Sequence, residues 1–385
     1  MWITRLKLKN WRNFKQADIT LRDRVYLIGP NASGKSNLLD VFRFLRDVAK
    51  PSGGGLQKAV KDRQGMTKIR CLQARADSEV AIEVELAAAV DDPIAEWTYA
   101  IGFKNEGKSQ QRLLLNYERV LHHGEIVLNR PDEADQADPA RLTQTHLEQV
   151  NANAAFRPIA EFLADVTYLH LVPQLLKYGD GMGGNRLEDD PFGQGFLERV
   201  ARCLPRTRDA RLKRIQTALQ VAVPQFKELR FVKDEVNGHP HLEAFYEHWR
   251  PNAGWQREEQ FSDGTLRLLA LLWSLLDGDS LLLLEEPELS LNDALVEKIP
   301  LLLDRLQRQA RHRRQILLST HSEALLLNPG IDVRGVLRLE PEKEGTRIMA
   351  PDEAEQRMIE SGLSAAEVLL MKTRPARLDQ LALFK

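Results

Sequence analysis

Apolar and polar positions alternate from the start of the chain. Leu6 and Leu8 stand between Arg5, Lys7 and Lys9, and Ala17, Ile19 and Leu21 alternate again after the polar turn Asn10 to Asn13, which predicts two strands. A third apolar run, Val25-Tyr26-Leu27-Ile28, stops at Gly29-Pro30. It gives way to Leu38, Leu39, Val41, Phe42, Leu45 and Val48 at helical spacing, so strand, glycine loop and helix follow one another. Beyond residue 66 the pattern changes to short runs at Thr67 to Leu72, Val80 to Leu86, Trp97 to Phe103, Arg112 to Arg119 and Glu125 to Leu128, separated by polar turns. These predict an antiparallel lobe. Residues 140–225 read as helical, with a glycine-rich loop at Gly179 to Gly195 and no sustained heptad that could build a long coiled coil. Strand and helix patterns alternate from 226 to 348, and one or two short helices are expected after Pro351. The expected segments are thus 1–66 (first part of a core), 67–135 (β lobe), 136–225 (helical arm), 226–350 (second part of the core) and 351–385 (tail).

Composition narrows the class. At 385 residues the chain can bury a large core without disulfides, and its isolated Cys71 and Cys203 suggest neither a disulfide framework nor a zinc site. The apolar stretch Leu266 to Leu276 is interrupted by Arg267 and is too short to cross a bilayer. Met1 to Leu6 alternates like a strand and lacks the features of a signal peptide, so a cytoplasmic protein with no membrane partner is expected. With 54 basic residues against 55 acidic ones, any attraction to nucleic acid must come from a local patch.

Four segments carry chemistry. Gly29-Pro30-Asn31-Ala32-Ser33-Gly34-Lys35-Ser36 fits the phosphate-loop pattern and lies between strand and helix, as the mechanism requires. In such a loop the backbone amides cradle phosphates, the lysine reaches the outer phosphates and the last hydroxyl binds Mg²⁺. Ser280 to Glu286 is an apolar run ending in Glu285 and Glu286. At the end of a central strand these carboxylates suit a metal ligand and a general base; alternatively they are acidic residues opening a helix at Pro287. Phe261-Ser262-Asp263-Gly264-Thr265 puts a hydroxyl and a glycine at a helix start, either to bind an anion or as an ordinary serine cap. Ile316 to Ser322 places His321 just past another buried strand, where it either senses a terminal phosphate or is structural.

In this order the four segments resemble the ABC-type ATPases of the SMC and RecF group. FSDGTLRLLALL, LLLLEEPELSL and ILLSTHS resemble the compact bacterial members that accompany DNA-repair or phage-defence partners. The resemblance covers residues 1–50 and 258–340, and is only architectural over 70–225. It implies an α/β fold: an ABC-type P-loop head with a mixed central sheet flanked by helices, an antiparallel β lobe and an inserted helical arm. It implies ATP and Mg²⁺ as cofactors, with Gly29, Asn31, Ala32, Ser33, Gly34, Lys35 and Ser36 around the phosphates and Ser36 and Glu285 at the metal. Glu286 would be the base and His321 the switch histidine. Ser262 and Gly264 would bind the γ-phosphate of a nucleotide held by the other subunit, so that ATP closes a homodimer. Arg12 and Asn13 fall where such proteins touch nucleotide, and a metal-contacting glutamine has two candidates, Gln57 and Gln64.

Three departures accompany the resemblance. Glu285 replaces the usual aspartate, Asp263 and Thr265 stand where transporter-type signatures carry glycine and glutamine, and Glu288 to Asn292 lacks the His-Pro of the compact group.

Two roles follow from this reading. In one, ATP-dependent dimerisation regulates a separately encoded effector, a nuclease or toxin, in phage defence. In the other, the dimer is a DNA clamp in repair or recombination. The signature lies about 225 residues beyond the phosphate loop, too far for a transporter subunit, and with roughly 60 residues after His321 no appended nuclease domain that holds metal on clustered carboxylates is expected. The densest basic stretch, Arg199, Arg202, Arg206, Arg208, Arg211, Lys213 and Arg214, is a candidate for DNA contact or a solvated helix face. Arg305, Arg308, Arg311, His312, Arg313 and Arg314 read as a helix end favoured by the dipole.

Overall fold

The computed structural model describes residues 1–75, 77–92, 94–107, 112–178, 189–248, 254–309 and 313–373. Residues 179–188 of the expected glycine-rich loop, Arg311, His312 and the last twelve residues of the tail lie outside them.

One sheet joins β1 (Trp2–Trp11), β2 (Phe14–Thr20), β4 (Val80–Ala87), β5 (Trp97–Asn105), β6 (Leu113–His122) and β7 (Glu125–Arg130) in the order β2-β1-β4-β5-β6-β7, antiparallel throughout. The first two strands, expected with the core, therefore pair with the lobe. Leu6 lies opposite Val84 and Leu8 opposite Ile82, which turns both apolar sets to one face.

A second sheet runs β15-β14-β3-β13-β12-β8, from β3 (Arg24–Ile28), β8 (Thr167–Leu169), β12 (Leu282–Glu285), β13 (Ile316–Ser319), β14 (Val336–Glu342) and β15 (Gly345–Met349). Only the β14–β15 pair is antiparallel, so the sheet is mixed as expected. Its central strands are apolar at successive positions because both faces are covered. Val25 and Leu27 join the core shared with the lobe and helix α1 (Lys35–Ala49), while Tyr26 and Ile28 join the core around the helix Asp263–Leu276.

A third, three-stranded sheet has the order β11-β10-β9, from β9 (Phe226–Lys233), β10 (Pro240–Tyr246) and β11 (Trp255–Arg257). The helix Pro205–Ala222 shares a core with it through Leu212, Ile215 and Leu219.

Three expectations fail. Thr67 to Leu72 is not a strand: Met66–Ile69 is a short helix, with Met66 and Ile69 buried one turn apart. The stretch 136–225 is not wholly helical, since β8 lies in it and forms an edge of the core sheet. Three residues are too few to declare a period. Arg314, read as part of a helix end, instead lies beside β13 and is buried. It donates to the carbonyls of Ser274 and Asp277, both at 2.9 Å, and of Ser280 at 2.7 Å, capping the C-terminus of another helix. No helix of the described residues is long and apolar enough to cross a membrane.

Candidate functional site

β3 ends at Ile28 and α1 begins at Lys35, and the loop between them closes through positive φ at Ala32 (62°) and Gly34 (103°). A side chain at Gly34 would strike Asn13, so glycine is required there by space as well as by backbone angle. Asn13 donates from Nδ2 to Ser33 O at 2.8 Å and to Thr346 Oγ1 at 2.7 Å, and accepts from Asn37 at 2.8 Å. It braces the loop instead of facing a nucleotide, and Arg12 is turned to Asp40 at 2.5 Å. Lys35 folds back, its Nζ donating to Gly29 O at 3.0 Å and Pro30 O at 3.2 Å. Burial pulls the lysine below its ordinary pKa, against the opposing pull of Glu286, Glu285 and Glu288. Ser33 Oγ is buried without a partner.

Parallel pairing of β3, β13 and β12 brings their C-terminal ends together, Glu285 opposite Ser319 and Ser319 opposite Leu27. Glu285 ends its strand, and a turn, not a helix, follows at Pro287. Its carboxylate accepts from the hydroxyls of Ser36 and Tyr168, with His170 Nδ1 at 3.9 Å. Glu286 has φ 44°, a left-handed conformation uncommon for a non-glycine residue and frequent at functional sites. It is fixed by its N–H on Ser319 O at 3.1 Å and by Arg267 Nη1 on its carbonyl at 3.3 Å. His321 Nε2 lies 3.5 Å from the Glu286 carboxylate. Burial, with the Lys35 charge, lowers the His321 pKa against the pull of Glu286. Behind them Glu288 accepts from Thr320 Oγ1 at 2.5 Å and from His321 N at 3.3 Å, and its other oxygen is buried and unpaired. Burial raises its pKa over the hydrogen bonds that oppose this.

The helix Asp263–Leu276 is capped by Ser262, whose Oγ accepts from Thr265 N at 3.1 Å. Gly264 is needed within its own chain, because a Cβ would stand 2.6 Å from Ser290 O. Asp263 is held by Lys177 at 2.7 Å and Gln174 at 3.0 Å. Among the described residues no hydrogen bond or ion pair joins 262–264 to the loop 29–36. Neither glutamine candidate reaches the carboxylates. Gln57 donates to Leu113 O at 2.9 Å and Thr143 O at 2.8 Å, tying α2 (Leu56–Asp62) to its surroundings, and Gln64 sits in a turn at φ 64°. Tyr168 and His170, which sequence reasoning missed, occupy the place beside Glu285. Their one signal was the aromatic, apolar run Thr167 to Val172 closed by Pro173.

These residues fit a nucleotide with Mg²⁺. The loop offers an inward lysine and an unpartnered hydroxyl, and Ser36 with Glu285 would supply the hard oxygen ligands that suit Mg²⁺. Among the described residues no group of three or more His, Cys, Asp or Glu side chains could hold a metal by itself.

The chain matches the family described as "AAA domain, putative AbiEii toxin, Type IV TA system" over residues 25–328, and that described as "P-loop containing region of AAA domain" over residues 3–45. It is 31% identical over 103 residues to the DNA replication and repair protein RecF of Roseiflexus castenholzii, covering 25% of this chain and 26% of that protein. To the RecF protein of Bacillus mycoides it is 26% identical over 88 residues, 23% of this chain and 24% of the relative. The matched region thus spans about a quarter of the length of these curated relatives. A crystal structure of an SMC head bound to the C-winged helix domain of ScpA superposes with a TM-score of 0.58 at 14% identity, over 92% of this chain and all of that one, which is a likeness of fold. Since the first match runs from β3 past the Ser-Thr-His segment, well over half the chain, this protein belongs to that AAA-domain family and is a P-loop ATPase of the SMC- and RecF-like ABC type.

Proposed function

We propose that this protein hydrolyses ATP at sites completed by a second copy of itself, and that closure of the dimer regulates a separately encoded effector, a nuclease or toxin, in phage defence. The division of the site carries the reading: Lys35, Ser36, Glu285, Glu286 and His321 gather at the strand ends, while the Ser262–Gly264 helix start makes no contact with them by hydrogen bond or ion pair among the described residues. A partner presenting that helix start supplies amide donors and the positive end of a dipole to a terminal phosphate.

Bound Mg²⁺ neutralises charge that builds on the phosphate oxygens. Ser36 and Glu285 would hold it. Lys35 leaves its two carbonyl partners for the outer phosphates. Glu286, fixed by its backbone, takes the proton of the attacking water on its carboxylate. His321 donates one hydrogen bond to the terminal phosphate.

The family description, "putative AbiEii toxin, Type IV TA system", supports a toxin–antitoxin setting over DNA repair. The state of the basic stretch also weighs against DNA: Arg199 pairs with Asp190 at 2.9 Å, Arg208 with Asp209 at 3.1 Å and Arg211 with Asp277 at 2.7 Å, leaving less charge for DNA phosphates. The names of the RecF relatives favour the alternative, a DNA clamp. ATP hydrolysis by the purified protein, with and without double-stranded DNA and beside Lys35→Ala, separates them. Slow hydrolysis that needs Lys35 and ignores DNA supports the effector reading; stimulation by DNA that Lys35→Ala abolishes supports the clamp. Hydrolysis unchanged by Lys35→Ala overturns both.

A further inference from the structure

We infer that Tyr168 is a positioning residue for the metal-side carboxylate: its phenol holds Glu285 in the arrangement in which the same carboxylate meets Ser36. The inference rests on the role given to Glu285 above.

Three observations converge on it. The two carboxylate oxygens are divided, Oε1 accepting from Ser36 Oγ and Oε2 from Tyr168 Oη. The phenol is delivered by the sheet itself, since β8 pairs in parallel with β12 and sets Tyr168 opposite Leu283, two residues before Glu285 and on the same face. The ring is also fixed from the far side, with the Arg43 guanidinium 4.1 Å from its centroid and the residue 7% exposed. Arg43 and Ser36 both belong to α1, so one helix supplies the hydroxyl on one oxygen and the clamp on the ring that serves the other.

Glutamate at 285 has one more rotatable bond than aspartate, and that bond must be frozen before the carboxylate can face a metal. A fixed phenol freezes it in advance, as pre-organised ligand sites require. Aspartate at this position would fall one methylene short of the phenol.

The test is ATP turnover of the full chain against free Mg²⁺ for wild type, Tyr168→Phe, Glu285→Asp and the double variant, with melting curves as the folding control. Phenylalanine keeps the ring, its packing and its contact with Arg43. Tyr168→Phe is expected to raise the Mg²⁺ concentration for half-maximal turnover about tenfold while turnover at saturating Mg²⁺ changes less. In the Glu285→Asp background the same change is expected to do nothing further. An unchanged Mg²⁺ dependence, or an equal loss in both backgrounds, overturns the inference. If Tyr168→Phe does not fold, Arg43→Met, which frees the ring and leaves the phenol, is expected to shift the Mg²⁺ dependence in the same direction, and no shift overturns the inference. Glu285→Gln separates the two levels of argument: wild-type turnover in that variant removes the role of Glu285, whereas inactivity beside an unaffected Tyr168→Phe removes only the role of Tyr168.

Discussion

Two regions of this molecule bury charge on opposite terms. In the lobe, Arg130 is wholly enclosed and every side of it is answered: Asp135 at 2.9 and 2.8 Å, Glu118 at 3.0 Å, and the carbonyls of Gln144 at 2.9 Å and Arg141 at 3.0 Å. Glu118 in turn accepts from His146 N at 2.7 Å, Leu147 N at 3.0 Å and Tyr99 at 3.2 Å. At the strand ends around Lys35 the opposite holds, with Ser33 Oγ, Ser319 Oγ, Glu288 Oε2 and Arg267 Nε all buried and unpaired. Native cores seldom leave such atoms unanswered, and these four adjoin the loop and strand ends where phosphate is proposed to bind, while others, such as Trp273 Nε1 and Asn153 Oδ1, lie elsewhere. A saturated cluster serves the fold, and an unsaturated one waits for a partner.

Substitutions can break that contrast. The largest expected effect is at the unsaturated end: Glu286→Gln lowers ATP turnover on the order of 10²–10⁴-fold and accumulates an ATP-bound dimer, while the melting temperature without nucleotide stays near wild type. Turnover and oligomer size both unchanged would remove the base from the account. Arg130→Met sits at the saturated end. It leaves Glu118 and Asp135 buried without their cation and is expected to cost roughly 3–5 kcal/mol in chemical unfolding, with turnover per folded molecule unchanged. A third, smaller cluster sharpens the rule. Burial raises the Glu355 pKa, but hydrogen bonds from Lys372 at 2.6 Å and Arg338 at 2.8 Å outweigh it and bring the group down to about 2. Its stabilisation is therefore fully present above the ordinary carboxylate range and is lost as pH falls toward 2. The stability gap between wild type and Glu355→Gln should narrow over that interval in acid titrations of unfolding; a gap independent of pH contradicts the assignment.

Much of this was legible in the sequence because the chemistry lies at the ends of strands that announce themselves. Val25 to Ile28, Leu281 to Leu284 and Ile316 to Leu318 are apolar at successive positions, the first followed by the glycine loop and the other two at once by the polar residues that matter. Tyr168 was not legible for a definite reason. Its strand has three residues and exists only by pairing with β12, whose carboxylate lies 117 positions further on. Thr67 to Leu72 misled in the opposite sense, since an i, i+3 pair of apolar residues in a short segment fits a helix turn as well as a strand. The attachment of β1 and β2 to the lobe was equally hidden, because alternation fixes a strand's faces and leaves its neighbours open.

The central claim, that each ATP site is shared between two copies, is tested most directly by mixing two inactive proteins. Lys35→Ala lacks the phosphate lysine and keeps Ser262; Ser262→Arg blocks the signature helix start and keeps the loop. In a mixed dimer one site joins an intact loop to an intact signature. Negligible ATP hydrolysis by either variant alone and clear recovery in the mixture are expected. A mixture as inactive as its components, or a Ser262→Arg protein as active as wild type, would contradict the claim.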